Sequence, residues 1–254
     1  CWSRCRMGGL RDQLKDLETD IDNVIAIEPR NKYVHAINAI MQDEFIDKNA
    51  DYIETIQWQY DENTYTKLGK GKRMSYYRKV RYYLDDLVLV RSRIEINAKE
   101  GEGKAAIVIN KGEMGKVVDI LEGDKKGDKT FLVVEFGSTR VPLLVIPDMR
   151  YDKAKKIKAH TNQITHAYAV TCHRAQGGEW DHVIFSHYSF DRDRKKLTQK
   201  DASFINRNMI YTAVSRSIKE FHLYSNDLDT LCQLAKFPAP QEQELMWMRL
   251  DAEC

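Results

Sequence analysis

Short apolar runs recur along this chain, and the sequence that separates them changes character from the ends to the middle. Near the N-terminus, the run 23–27 ends at Pro29 and is followed by apolar residues at helical spacing, which predicts a strand, a turn and a helix. Towards the C-terminus a predicted strand at 182–185, a helix around 203–217 and a strand at 221–224 repeat this order. Strands that alternate with helices are typical of an α/β domain with a parallel sheet.

The middle of the chain has a different pattern, because glycines separate most of its apolar runs. These runs predict five short strands, at 87–90, 106–109, 116–120, 131–134 and 141–146. Closely spaced short strands with glycine turns are typical of a small barrel or a curled antiparallel sheet. We therefore expect an α/β domain interrupted by an insertion: a first part at 1–85, a small antiparallel β-barrel at 86–150 and the remainder at 151–254.

Composition excludes several classes of protein. With 43% hydrophobic and 31% charged residues, the 254-residue chain has the composition of a globular protein and not of a disordered one. Its formal net charge of +2 excludes a general basic coat, so any nucleic-acid site must be a local patch. No apolar run approaches the ~20 residues that cross a bilayer, and we expect no membrane partner. Five cysteines without a CxxC pair predict reduced thiols in an intracellular protein, cytoplasmic or nuclear.

Two polar segments interrupt the C-terminal α/β pattern. The first, 171–180, packs ionisable side chains between two apolar segments and contains Gly177 and Gly178. Polar groups at the ends of strands are where open α/β sheets bind ligands, although a capped turn with solvated charges has the same composition. The second segment, 208–216, places Thr212 and Arg216 four residues apart on one side of the predicted helix. Taken alone, Arg216 would be read as a surface residue.

Together these segments resemble superfamily 1 DNA helicases of the UvrD/RecD-like group. Residues 167–180, AYAVTCHRAQGGEW, are similar to that family's motif V, whose pattern runs AYAxTxHxxQGxE. Residues 211–216, YTAVSR, are similar to motif VI, YTAxTR, with serine in place of threonine. Upstream, 27–31 with Asn38 resembles the opening of the second RecA-like domain, and 87–118 resembles the small β-barrel that RecD-like members insert there.

The resemblance implies a RecA-like domain of the P-loop NTPase type, and the C-terminal half of an ATP-dependent helicase that moves along single-stranded DNA. Arg216 would be the catalytic arginine finger, which neutralises charge on the γ-phosphate as it leaves. Gln176, Gly177 and Glu179 would lie beside the nucleotide, which is ATP with Mg²⁺. The carboxylate of Glu179 can hold a ribose hydroxyl, and the amide of Gln176 can sense phosphate.

The resemblance also implies residues that contact single-stranded DNA. A hydroxyl, an imidazole or a guanidinium can bind a phosphate oxygen without reading the base sequence, so RNA is not excluded. The candidates of this kind are Thr171, His173, Arg174, Asn31 and Thr212.

A basic strip at 67–81 adds a second candidate nucleic-acid surface, since it holds seven basic residues and no acid. Lysines and arginines neutralise phosphates, and interleaved tyrosines stack on bases, which is the combination that suits a single strand. The candidate contacts are Lys72, Arg73, Tyr76 and Tyr77. The alternative is a solvated loop whose charges balance acids elsewhere.

The phosphate cradle that such a motor needs is missing, because GxxxxGK[ST] occurs nowhere in the chain. The nearest imitation, 123–130, lies between two predicted strands, and its Asp124 and Asp128 would repel a phosphate. The acidic motif that holds Mg²⁺ in the family is also absent. We therefore expect the chain, which begins at Cys1, to be a fragment of something longer. An upstream RecA-like domain, in the same or another chain, would bind most of the ATP and Mg²⁺.

The sequence contains no strong metal-ligand spacing, and it leaves one rival function open. No metal site is expected, because His160 and His166 are six residues apart and Cys172 adjoins His173, and neither is a strong ligand spacing. The rival to the helicase hypothesis is a non-catalytic single-strand-binding or regulatory module that retains the helicase fold.

Overall fold

The computed structural model describes residues 10–11, 14–15, 17, 19–60, 75–96, 107–122, 129–145, 160–187, 205–225 and 228–235. Two compact units are formed, one by Cys1–Glu44 with Tyr168–Cys254 and the other by Phe45–Ala167. In chain order the strands and helices are β1 (Val24–Ile27), α1 (Asn31–Phe45), β2 (Tyr52–Tyr60), β3 (Ser75–Tyr83), β4 (Leu87–Val90), β5 (Ile94–Ile96), β6 (Ile107–Ile109), β7 (Met114–Leu121), β8 (Phe131–Phe136), β9 (Thr139–Leu144), β10 (Ile164–His166), β11 (Ala169–Val170), β12 (Trp180–His187), α2 (Arg207–Val214), β13 (Ser217–Ser225) and α3 (Leu228–Leu234).

The first unit is built on a parallel sheet with the strand order β11-β1-β12-β13. Ile27 of β1 lies level with Val170 of β11 and with Phe185 of β12, and Phe185 lies level with Leu223 of β13. Each of these pairs is parallel. The predicted α/β domain with a parallel sheet is therefore confirmed.

β1 is buried on both of its faces, and all four of its residues are inaccessible to solvent. The sequence of such a strand is continuously apolar and does not alternate, which is why the apolar run 23–27 predicted a strand. The helical spacing after it is confirmed by α1, which buries Val34, Ile37 and Met41. Within the described residues, no helix is both long enough and apolar enough to traverse a membrane.

Asn38 is the buried polar residue of α1, with 2% of its surface exposed. Its side-chain amide nitrogen donates to the carbonyl oxygens of Val34 and Ala169, each at 3.0 Å. Its amide oxygen accepts from the backbone N–H of Ala169 at 2.9 Å. Asn38 therefore acts as an additional pairing partner for β11, and it ties α1 to the strand that leads into the polar segment after Val170.

Replacing Asn38 by alanine should destabilise the protein by about 2–4 kcal/mol, because the buried N–H and C=O of Ala169 each lose a partner. Chemical denaturation of the wild type and Asn38→Ala measures this difference. Asn31→Ala, at an exposed position of the same helix, is the control and should change the free energy of unfolding by less than about 0.5 kcal/mol. Equal effects of the two substitutions would contradict the bridging role of Asn38.

The second unit is antiparallel. Its largest sheet has the strand order β10-β4-β7-β8-β9, and the hairpin β2–β3 and the pair β5–β6 form two smaller sheets. Alternating hairpin residues, Ile53, Val80 and Tyr82, are buried in the same core as residues of the five-stranded sheet, such as Val117 and Leu132. The aromatic hairpin thus packs with the inserted strands.

The predicted small β-barrel is not confirmed, because the five-stranded sheet is open in the described part of the chain. β10 and β9 form its two edges and are not hydrogen-bonded to each other. A barrel needs its first and last strands to pair, whereas here the hairpin residues supply part of the core. The antiparallel character of the segment is as predicted, and within the described residues its sheet does not close.

Candidate functional site

Residues 171–179 connect two strands of the parallel sheet without forming a helix. The carbonyl of Thr171 accepts from the backbone N–H groups of Arg174 and Ala175, at 2.9 and 3.0 Å. Gly177 has a φ of +89°, a conformation that side chains disfavour, and it lets the chain turn into β12. The local folding of the segment therefore follows from its own turn hydrogen bonds and from this glycine.

The turn exposes most of the predicted ligand-binding side chains of this segment. His173, Arg174, Gln176 and Glu179 are exposed, and Gly177 lies on the surface with them. Thr171 is different, since only 8% of its surface is accessible. Burial also raises the pKa of the neighbouring Cys172 thiol to about 12, so this cysteine stays protonated at neutral pH and is not a nucleophile.

Arg216 lies in the turn between α2 and β13, and not within the helix that was predicted to extend to 217. The helix starts after Asn206, whose side chain accepts from the N–H of Met209 at 3.1 Å, and its last residue is Val214. Thr212 is helical, and its hydroxyl donates to the carbonyl of Asn208 at 2.7 Å. Thr212 and Arg216 therefore do not lie on one side of a helix, and the prediction that they do is wrong.

Two contacts join Arg216 to the end of segment 171–179. Its guanidinium Nη1 donates to the carbonyl oxygen of Gly178 at 3.2 Å, and its own carbonyl accepts from the N–H of Trp180 at 2.9 Å. Nη2 also donates to the hydroxyl of Ser215 at 3.2 Å. The Nε of this half-buried side chain has no hydrogen-bond partner among the described residues. The structure thus brings Arg216 next to the Gln176–Glu179 turn.

Sequence reasoning missed the parts played by Gly178 and Trp180. A Cβ at Gly178 would lie closer than 3.0 Å to three atoms of the Trp180 ring. Only glycine lets the ring sit against the backbone whose carbonyl accepts from Arg216. The available signal was the combination of a second glycine with a large aromatic residue two positions later.

The predicted site residues divide between two edges of the parallel sheet. Thr171 directly follows Val170, level with the carboxyl end of β1, and Asn31 is the exposed first residue of the helix that follows β1. Gly178 and Arg216 instead precede β12 and β13, at the amino ends of these strands. At about 3.3 Å per residue, the two groups lie roughly 20 Å apart along the strand direction. Thr171 and Arg216 therefore cannot contact the same ligand atom.

The hairpin candidates lie in the other unit. Lys72 and Arg73 are outside the described residues, and so is the P-loop imitation over 123–128. Tyr76 and Tyr77 lie in β3, where their register partners in β2 are Gln59 and Trp58.

The described end of the basic strip is partly neutralised. Lys79 and Arg81 both pair with Glu54 of the opposite strand. The hydrogen bond from Lys79 lowers the pKa of this carboxyl, which therefore keeps its negative charge at neutral pH. The net positive charge of this end of the strip is therefore smaller than the sequence alone indicated, because Glu54 offsets part of it.

Three large apolar residues near Arg216 are exposed. They are Tyr211 and Val214 of α2 and Ile218 of β13, with 72%, 43% and 62% of their surface accessible. Tyr211 therefore does not pack into the core of the described chain.

Comparisons with known proteins match the C-terminal segment to a family. Residues 166–224 match the family model of the UvrD-like helicase C-terminal domain, which confirms the predicted resemblance for this segment. No curated protein matches the chain.

Solved structures of Pif1 helicases are similar at low identity. A Pif1 helicase from Bacteroides in complex with ADP-AlF3 and ssDNA has 16% identity and a TM-score of 0.49, with 96% of this chain and 49% of that chain covered. The Pif1 helicase from Candida albicans has 13% identity and a TM-score of 0.46, with 91% and 50% covered. The chain thus spans about half the length of these helicases.

Gly178→Ala should destabilise the protein by about 1–3 kcal/mol, because the new methyl group overlaps the Trp180 ring. In a Trp180→Leu background the ring is absent, and the same glycine substitution should cost much less. Denaturant unfolding of the wild type, both single variants and the double variant gives the coupling energy. An equal cost of Gly178→Ala in both backgrounds would refute the ring contact.

Proposed function

We propose that this chain is the C-terminal half of an ATP-dependent DNA helicase, in which Arg216 is the arginine finger and the segment 171–179 contributes to the nucleotide and DNA contacts. The match of residues 166–224 to a helicase C-terminal domain supports the class of protein. The single observation that carries the proposal is the contact between Arg216 and Gly178, because it joins the two motif segments in one place.

The residues beside Arg216 fit a nucleotide phosphate. A guanidinium has five N–H donors, and this one uses two of its nitrogens on neutral oxygen acceptors while Nε has no partner among the described residues. Its positive charge is therefore available for an anion. Gln176 and Glu179 are exposed on the adjoining turn, where an amide and a carboxylate can hydrogen-bond a phosphate and a ribose hydroxyl.

Bound ATP would supply the γ-phosphoryl group that is transferred to water. Arg216 would hold a fixed positive charge against this group, which favours the charge distribution of the transition state over that of the ground state. Gly178 and Ser215 would keep the guanidinium oriented before the nucleotide arrives. Since the chain lacks the phosphate cradle, an upstream RecA-like domain would hold the remaining phosphates and Mg²⁺.

In this proposal the amino ends and the carboxyl ends of the strands bind different ligands. Arg216 and the Gln176–Glu179 turn would face the nucleotide at the amino edge of β12 and β13. Asn31, Thr171, His173 and Arg174 would contact the phosphates of single-stranded DNA, and Thr171 would do so with little exposed surface. A movement of segment 171–179 would then change the nucleotide contacts and the DNA contacts together.

The chain alone should show no DNA-stimulated ATP hydrolysis, and a protein in which the upstream RecA-like domain precedes it should hydrolyse ATP. In that longer protein Arg216→Ala should lower kcat by about 10³–10⁵-fold, and Arg216→Lys should restore little, since lysine lacks the planar fork. Arg140→Ala, which removes an exposed arginine paired with Glu135, is the control and should leave kcat unchanged.

Unfolding midpoints of the variants show whether a loss of ATP hydrolysis comes from removal of the charge or from unfolding of the protein. Hydrolysis by the chain alone, or by a folded Arg216→Ala variant at the wild-type rate, would refute the assignment. Loss of all hydrolysis in the longer wild-type protein, with DNA binding retained, would favour the non-catalytic single-strand-binding module.

DNA binding by the chain itself tests the proposed contacts with single-stranded DNA. Arg174→Ala should weaken the binding of a labelled oligo-dT and reduce the slope of log K against log salt by about 0.7, the value for one lost phosphate contact on a single strand. Fluorescence anisotropy at several salt concentrations measures both quantities, with Arg140→Ala as the matched control. An unchanged slope would remove Arg174 from the interface, and matched RNA oligomers decide whether the chain distinguishes the two nucleic acids.

A further inference from the structure

Two histidines and a glutamate meet on one face of the parallel sheet, and none of the three belongs to the candidate site described above. His182 of β12 lies directly opposite Glu220 of β13 in the strand register. His222 is two residues further along β13, and residues two apart in a strand point to the same face. The three side chains therefore converge because of the parallel pairing of β12 with β13.

The distances between their ligand atoms are short. Glu220 Oε2 lies 3.7 Å from Nδ1 of His182 and 3.3 Å from Nε2 of His222. One nitrogen or oxygen atom from each of the three side chains lies within 4.8 Å of the others. A tetrahedral ion with bonds of about 2.1 Å holds its ligand atoms about 3.4 Å apart, so the observed spacing needs only small side-chain rotations.

The two ring nitrogens that face the carboxylate are buried, and neither makes a well-aligned hydrogen bond within the described residues, although Glu220 Oε2 lies 3.7 Å from one and 3.3 Å from the other. A buried polar atom without a partner is costly, and two of them at one place require an explanation. Both nitrogens face the same carboxylate oxygen, so one partner placed among the three side chains would satisfy both of them.

We propose that His182, Glu220 and His222 bind one divalent transition-metal ion, of which Zn²⁺ is the representative. Two imidazoles and one carboxylate form a recognised set of three protein ligands for zinc, with the fourth position open to water. Mg²⁺ and Ca²⁺ favour oxygen ligands, so the two nitrogens select against them. Since 61% of the Glu220 side chain is exposed, an ion can reach the cluster from solvent.

The position of the cluster gives the ion a structural role. β13 is an edge strand of the described parallel sheet, and β12 is its only hydrogen-bonded neighbour there. An ion held by one ligand from β12 and two from β13 would cross-link these strands. Both strands begin directly beyond the Gly178–Arg216 contact, so the cross-link would also stiffen the backbone that carries it. This inference does not depend on the helicase function.

Zinc binding by the full chain with reduced thiols tests the proposal. Calorimetric titration with Zn²⁺ should show one strong site per chain, and Zn²⁺ should raise the thermal unfolding midpoint. His222→Gln and Glu220→Gln should each weaken this site, by at least the 10–100-fold that loss of an outer-shell partner costs. His35→Gln, at a half-buried histidine of α1 outside the cluster, is the matched control and should bind zinc as the wild type does.

Cobalt substitution separates this site from the five cysteines. Co²⁺ bound by imidazole and carboxylate gives weak d–d absorption without the intense charge-transfer bands of a cobalt–thiolate bond. The His182→Gln/His222→Gln double variant, checked for folding by circular dichroism, should lose the d–d absorption. The proposal would be overturned by thiolate bands at the first equivalent, by unchanged affinity in the folded variants, or by no zinc binding in the wild type.

Discussion

The burial of β1 on both faces is the constraint on which the first unit depends. A strand that pairs with β11 on one side and β12 on the other, and that is covered above and below, admits no polar side chain along its length. The ionisable residues of the described sheet therefore lie outside β1, at the ends of strands, in β12 and in the edge strand β13. The candidate helicase residues lie at the ends of the strands, and the candidate metal ligands lie in β12 and β13.

The parallel orientation also determines the path of segment 171–179. Because β11 ends at the carboxyl edge and β12 begins at the amino edge, the chain must cross the sheet between Val170 and Trp180. It does so without a helix. One short segment consequently reaches both edges, and its exposed turn lies between the contact with Arg216 and the buried Thr171. Any ligand that displaced this turn would alter both ends.

Much of this arrangement was predictable from local sequence, and what was missed depends on distant pairing. The periodicity of Val34, Ile37 and Met41 predicted α1, and the apolar runs predicted β1 and β12. The end of α2 was missed because no glycine or proline follows Val214, so the helical pattern continues beyond the helix.

The antiparallel unit and the metal cluster show the same limit of local patterns. The strand β3 was not predicted, because the basic strip at 67–81 was interpreted from its charge as a surface for a single strand or a solvated loop, although Val80 and Tyr82 of this strand are buried. Barrel closure depends on whether β9 and β10 pair, and no local pattern reveals this. Likewise, His182 is distant from Glu220 and His222 in sequence, and only the register of β12 against β13 brings them together.

The chemical identity of the acceptors decides what a basic side chain can do for an anion. Lys79 and Arg81 share the carboxylate of Glu54, which offsets their charge before any ligand arrives. Arg216 is held by a carbonyl and a hydroxyl, and no carboxylate pairs with it in the part of the chain that the structure describes. Neutral acceptors orient a guanidinium without cancelling its charge. Partial burial strengthens the field of that charge, because less water screens it. An arginine prepared in this way differs physically from a surface arginine, and the difference follows from its two neutral acceptors, the carbonyl of Gly178 and the hydroxyl of Ser215.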